Sequence, residues 1–142
     1  MLQHQPASPF QWPVTVYYED TDAGGVVYHS NYLKFFERAR TELLRAGGVS
    51  QQSLLEDDIG FVVSHMDIDF IRGARLDDQL SVFTSVCDLK KASLVFCQEM
   101  VNPDGKVLCR AKVKVACISS AKMKPKAMPV CVFDALMKYC DK

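Results

Sequence analysis

The 142-residue chain has no excess of charge, no long apolar run and none of the short motifs that mark metal or nucleotide sites. Seventeen lysines and arginines balance seventeen aspartates and glutamates, so no global field draws the protein to nucleic acid or to an anionic membrane. No stretch approaches the ~18 apolar residues of a membrane span, and a chain that does not span a membrane is expected. None of the six cysteines is spaced C-x-x-C, and no metal-ligand grouping occurs, so no metal is expected. Most cysteines lie in apolar runs such as LVFCQEM and VKVACIS, where a thiol behaves as a small hydrophobe. Reduced thiols in the cytoplasm follow as the expectation. The N-terminal MLQHQPASPFQWP lacks the charged-then-apolar plan of a signal peptide, which points the same way. The absence of G-x-x-x-x-G-K-[ST] leaves ATP chemistry unsupported. There is no internal repeat and no low-complexity segment.

What is present is an ordinary globular composition, 49% hydrophobic and 24% charged. A length near one domain predicts a loose polar arm over residues 1–12 and a single domain over 13–142. PVTVYYE (13–19) is β-branched and aromatic, so it reads as a strand. From Asn31 onward Tyr32, Phe36, Ala39, Leu43 and Ala46 recur at helical spacing and predict one buried face. Asn31 is the expected N-cap and Gly47-Gly48 the expected stop, for a helix of about 16 residues. Glu37–Arg40 and Arg38–Glu42 should pair on its surface. A helical turn is expected over 50–58, then strands over 60–72, 79–89, 93–101 and 106–119, with NPDG (102–105) as a hairpin turn. A short helix is expected over 130–140. The sum is an α+β fold: a five-stranded, mostly antiparallel sheet wrapped around one long central helix, with edge strands free to pair with a second subunit.

The densest chemistry lies in YYEDTDAGGVVYHSNY (17–32), where Glu19, Asp20 and Asp22 stand beside Gly24-Gly25 and His29 precedes the helix. A carboxylate can attack an acyl carbon or activate water. A helix N-terminus offers unpaired N–H groups to a developing oxyanion, and glycines let backbone and substrate approach closely.

The stretch YYEDTDAGGVVYHSNYLKFFERARTELLR (17–45), supported by FVVSHMDIDFIRGARLDD (61–78), resembles the hot-dog-fold acyl-CoA thioesterases. The branch it resembles contains 4-hydroxybenzoyl-CoA thioesterase and the YbgC type. That resemblance implies hydrolysis of acyl-CoA thioesters, with acyl carrier protein thioesters as further substrates. It also implies links to phospholipid synthesis and to the Tol–Pal envelope system. It implies Asp22, the second aspartate of the D-x-D pair, as catalytic carboxylate, acting as nucleophile or general base. It implies the His29 backbone N–H as the group that polarises the carbonyl, with the His29 side chain also taking part. It implies no cofactor, coenzyme A being part of the substrate, and a homodimer or homotetramer with each site between two subunits. Lys90 and Lys91 fall where the family has a basic connection near the nucleotide and are the expected phosphate-binding pair. Arg72, Arg75, Lys122, Lys124 and Lys126 are further candidates.

Plainer roles compete at each position. Asp20 and Glu19 are expected to be solvated or turn-capping. His29 serves equally well as a cap, His65 as a packing or surface residue, and Tyr17, Tyr18, Tyr28 and Tyr32 as core. Two other functions fit the same fold, a non-catalytic acyl-CoA sensor and a hydroxyacyl dehydratase. A magnesium phosphotransferase built on VYYEDTD needs βαβ units that the chain lacks.

Overall fold

The computed structural model describes residues 9–140. Its strands are β1 (Phe10–Thr15), β2 (Gly60–Phe70), β3 (Gln79–Leu89), β4 (Ser93–Val101) and β5 (Val107–Ser119), in the antiparallel spatial order β1-β3-β4-β5-β2. A two-residue β6 (Lys124–Pro125) folds back on the end of β5. The helices are α1 (His29–Ala46), α2 (Gln51–Glu56) and α3 (Val130–Met137). One long helix against an antiparallel sheet is the expected α+β plan. The first eight residues of the expected arm lie outside the described residues, while Phe10 to Trp12 are strand, paired with Val82 to Thr84 of β3.

Period-two alternation builds the inner face. Leu80, Val82, Thr84 and Val86 of β3 and Leu94, Phe96, Gln98 and Met100 of β4 are buried in step, as the pleat requires. Against this face α1 buries Tyr32, Phe35, Phe36, Ala39, Leu43 and Leu44. Ala46, the last residue of the predicted stripe, is exposed in the final turn. Gly47 ends the helix and Gly48 takes a left-handed φ of +83°, as the double glycine predicts. A Cβ on Gly47 would sit 2.7 Å from the Cβ of Ala135, so the stop is also where α3 packs.

The helix begins earlier than expected. Its first residue is His29 and its N-cap is Tyr28, which makes no side-chain cap. Asn31 is not the cap, because its side-chain amide is already committed to Asp20. The surface pairing of Glu37 with Arg40 also needs correction, since Arg40 is 8% exposed and turns to Gln98. A third correction concerns the cysteines. A bulge between Val86 and Asp88 leaves Cys87 beside Cys97 on the next strand, with Cα atoms 6.2 Å apart, and their sulfurs are bonded. No helix among the described residues is long and apolar enough to cross a membrane.

Candidate active site

The connection from β1 to α1 is built around one buried carboxylate. Asp20, 7% exposed, accepts from the Tyr17 N–H and from the Asn31 side chain, each at 2.9 Å. Its carbonyl takes the Tyr28 N–H at 3.0 Å. The loop's start, its end and the first turn of α1 are thereby tied to a single residue. Of the two roles weighed for Asp20, capping is the one it fills.

Between those ties the chain makes a tight excursion. Thr21 bridges Val27, the Asp22 N–H donates to the Val26 carbonyl, and the Gly25 N–H returns to the Asp22 carbonyl at 3.0 Å. Gly25 has φ +78°, a left-handed conformation that costs other residues dearly. The Asp22 carboxylate is exposed, and among the described residues its Oδ1 accepts one bond, from the Gly24 N–H at 2.8 Å. A Cβ at position 24 would lie 3.2 Å from that oxygen, so glycine there keeps the carboxylate uncrowded. Oδ2 has no hydrogen-bond partner among the described residues.

Seven positions on, α1 starts without a side-chain cap. The Tyr28 and Asn31 N–H groups are used by the carbonyls of Asp20 and Tyr28. The N–H groups of His29 and Ser30 have no acceptor among the described residues. A helix cannot satisfy its own first N–H groups, and here the dipole's positive end stays open. The exposed His29 ring lies 4.5 Å from the Tyr28 ring and meets Phe70 edge-on at 6.2 Å. Tyr32 is the one core residue among the four tyrosines; its hydroxyl accepts the Ala74 N–H at 2.9 Å, while Tyr17, Tyr18 and Tyr28 are exposed. Through that bond and the Val26–Arg75 bridge, the segment 71–78 is fastened to the same loop.

The lysine pair lies elsewhere. Lys90 and Lys91 form the β3–β4 turn, where Lys90 stands 3.7 Å from Asp88. Thr15 and the loop after it meet the opposite end of β3, at Gln79. Eleven residues of strand separate the two ends, about 33 Å when extended. Within one chain the structure therefore does not bring Lys90 and Lys91 to Asp22. Arg72 and Arg75 are the basic side chains at the Asp22 end. Lys126 is committed at the far end, donating to the carbonyls of Asp57 and Asp58. His65 is a surface residue, 3.4 Å from Asp67.

No cysteine is poised to compete as nucleophile in the core. Burial, with Asp69 adding to it, pushes the Cys109 thiol up to about 12, and burial raises Cys117 as well. A thiolate is the reactive form. Among the described residues no cluster of side chains is arranged to hold a metal.

An exposed carboxylate seven residues ahead of open helix N–H groups suits attack on an acyl group with charge building on its oxygen. Known proteins are similar in sequence and fold. A family model described as the thioesterase-like superfamily matches residues 16–137. An acyl-CoA thioester hydrolase YbgC from Escherichia coli O6:H1 is 51% identical over 120 residues, 84% of this chain and 90% of its own. The acyl-CoA thioesterase YbgC of Haemophilus influenzae is 53% identical over 121 residues, 84% and 88% of the two chains. Among solved structures, a 1,4-dihydroxy-2-naphthoyl-CoA thioesterase from Synechocystis superposes with a TM-score of 0.85 at 25% identity, covering 90% of this chain and 95% of that one. A probable thioesterase from Bartonella henselae does so at 0.76 and 37% identity, covering 86% and 99%.

Proposed function

The chain belongs to the thioesterase-like superfamily, on its hot-dog-fold, YbgC-type acyl-CoA thioester hydrolase branch, and from that premise we propose that Asp22 is its catalytic carboxylate and the first turn of α1 its oxyanion site. The observation that carries this reading is the contrast between Asp20, spent on holding the loop, and Asp22, held by one backbone N–H and otherwise open. Asp22 either attacks the thioester carbonyl to give an anhydride, expelling the thiolate, or takes a proton from the water that attacks. The N–H groups of His29 and Ser30 receive the charge that develops on the carbonyl oxygen. The exposed His29 ring, beside Phe70, passes a proton to the leaving thiolate in this reading.

We read the active form as a homodimer, or a tetramer built from dimers. β2 is an edge of the sheet, and it carries exposed Val62, Val63 and Phe70, an edge suited to pairing with a second copy. Antiparallel pairing of β2 with itself across a two-fold axis is isologous. It would set the Phe70 end of each chain opposite the Phe61 end of the other, which is how Lys90 and Lys91 of one subunit could approach Asp22 of its partner. Cytoplasmic acyl-CoA and acyl carrier protein thioesters in phospholipid synthesis are the proposed substrates, in keeping with a Tol–Pal association.

The test is thiol release from a panel of acyl-CoAs, short aliphatic to long and aromatic, by wild type and Asp22→Asn. Turnover that collapses in the variant supports the assignment; turnover that survives moves the chemistry to another group. A single turnover in ¹⁸O water then separates the two roles, since an attacking carboxylate acquires label itself.

A further inference from the structure

The loop that carries Asp22 is held to α1 by two routes, and only one of them runs through Asp20. Asp20 fastens the ends of the loop, at Tyr17 and Tyr28, and reaches the helix through Asn31. Between those ends Thr21 pairs with Val27, and Asp22 donates its N–H to the Val26 carbonyl at 2.9 Å. The returning residues, Val26 and Val27, hang on the segment ahead of β3. The Val27 N–H donates to the Ala74 carbonyl at 2.8 Å, and Val26 bridges Arg75. The two segments are in close contact, since a Cβ on Gly73 would lie 3.3 Å from Val26 Cγ1.

That segment is anchored in turn. Asp78 accepts the Arg75 N–H on Oδ2 at 2.9 Å. Its carbonyl takes the Val16 N–H, and the Asp77 N–H returns to the Val16 carbonyl, each at 3.0 Å. These bonds join it to the residue that follows β1. Toward α1 it has one tie: the Tyr32 hydroxyl accepts the Ala74 N–H at 2.9 Å. Among the described residues no other side chain of α1 bonds to residues 71–78. Tyr32 is 3% exposed and Ala74 fully buried, and a bond between groups so buried is costly to leave unmade. Tyr32 stands one turn past His29, beside the open N–H groups of the helix.

We propose that Tyr32 is a positioning residue, whose hydroxyl holds Ala74 and through it Val26 and Val27, and so sets where the Asp22 loop stands relative to the first turn of α1. That role rests on the reading of Asp22 as the catalytic carboxylate, which it deepens. A hairpin held only at its base can pivot, and a second tie on its returning side removes that freedom. The rate of a reaction between held groups is sensitive to such freedom, a misplacement of about 1 Å costing about 10²-fold.

Steady-state thiol release and urea denaturation of Tyr32→Phe beside Thr84→Val test it. Each variant deletes a buried hydroxyl acceptor, the first from the Ala74 N–H and the second from Gln98 Nε2. Phenylalanine keeps the edge-on contacts of the ring with Phe35 and Phe70. Tyr32→Phe should lower kcat about tenfold. KM should move less than about twofold, the sign of an interaction that counts only in the transition state. Thr84→Val should lower the denaturation midpoint and keep kcat. In an Asp22→Asn background Tyr32→Phe should cause no further loss, since groups acting as a unit do not add, whereas a merely structural role would lower both backgrounds alike. If Tyr32→Phe does not fold, lactate in place of Ala74, an ester without the N–H, removes the same bond from the donor side and should give the same loss. Unchanged kcat, a loss matched by Thr84→Val, or equal proportional losses in the two backgrounds would overturn the positioning role and leave Asp22 untouched. Turnover that survives Asp22→Asn would overturn the reading of Asp22 and the role of Tyr32 with it.

Discussion

The N-terminal end of α1 and its middle treat polar groups in opposite ways. At the end, Asp22 is exposed with one backbone donor, and two N–H groups stand open. In the middle, Gln98 is 2% exposed and joins Arg40, Thr84 and the Phe36 carbonyl into one network. Polar groups drawn into a core must be partnered, and the partners rigidify it. Polar groups at the proposed reacting centre must be held in place yet left unspent, and Asp20 ties the loop while leaving Asp22 exposed. In the reading proposed for Asp22, position and chemistry are divided between two aspartates separated by one threonine.

Breaking each side of that division should leave a different signature. Asp22→Asn should lower kcat by about 10² to 10⁴, the range for a lost acid–base or nucleophilic group. The same variant should shift stability by no more than about 0.5 kcal/mol, as an exposed substitution; steady-state kinetics beside a urea melt checks both. Gln98→Leu should do the reverse. It strips Arg40, Thr84 and the Phe36 carbonyl of their shared partner, and an uncompensated buried charge costs about 3–5 kcal/mol. The melting midpoint should fall sharply while the surviving folded fraction still turns over substrate. Equal losses of kcat in the two variants would dissolve the comparison.

Asp20→Ala falls between these. It removes the two side-chain hydrogen bonds that join Tyr17 and Asn31, worth about 2 kcal/mol together, and it unfastens the loop that carries Asp22. Stability and kcat should both drop, with kcat falling less than in Asp22→Asn. Restoration of most of the activity by Asp20→Asn, which can still accept from the Tyr17 N–H, would identify Asp20 as a positioning residue.

How much of this was legible in the sequence depended on the range of the interaction. The last four expected strands, the NPDG turn, the glycine stop and the acidic loop follow from local propensity and periodicity, whereas the first strand is Phe10–Thr15 and not 13–19, with Tyr18–Asp20 in a helical turn. The N-cap did not, because Asn31 is a favoured capping type and its actual bond runs back eleven residues to Asp20. Arg40 was read as a surface partner of Glu37 from their spacing, although its position four after Phe36 and three before Leu43 already placed it on the apolar stripe. Lys90 and Lys91 are expected near the nucleotide by family resemblance. Which end of the sheet they occupy follows only once Val26 is seen to bridge Arg75, four residues ahead of β3, and not the far end of that strand.

The smallest effect sharpens the comparison most, because the same strain can be introduced at both ends of one helix. Gly25 and Gly48 have φ of +78° and +83°, and a Cβ on either meets nothing within 4 Å. Alanine at either position is therefore opposed by backbone conformation alone, about 1–2 kcal/mol. Chemical denaturation should report similar losses for Gly25→Ala and Gly48→Ala. Activity should not: Gly25 shapes the turn that aims Asp22, so its alanine variant should lose kcat/KM several-fold, whereas Gly48→Ala should keep the wild-type value. Equal kcat/KM in the two variants would mean that the turn at Gly25 does not aim the carboxylate, and Asp22 would then have to be positioned by the bond from Gly24 alone.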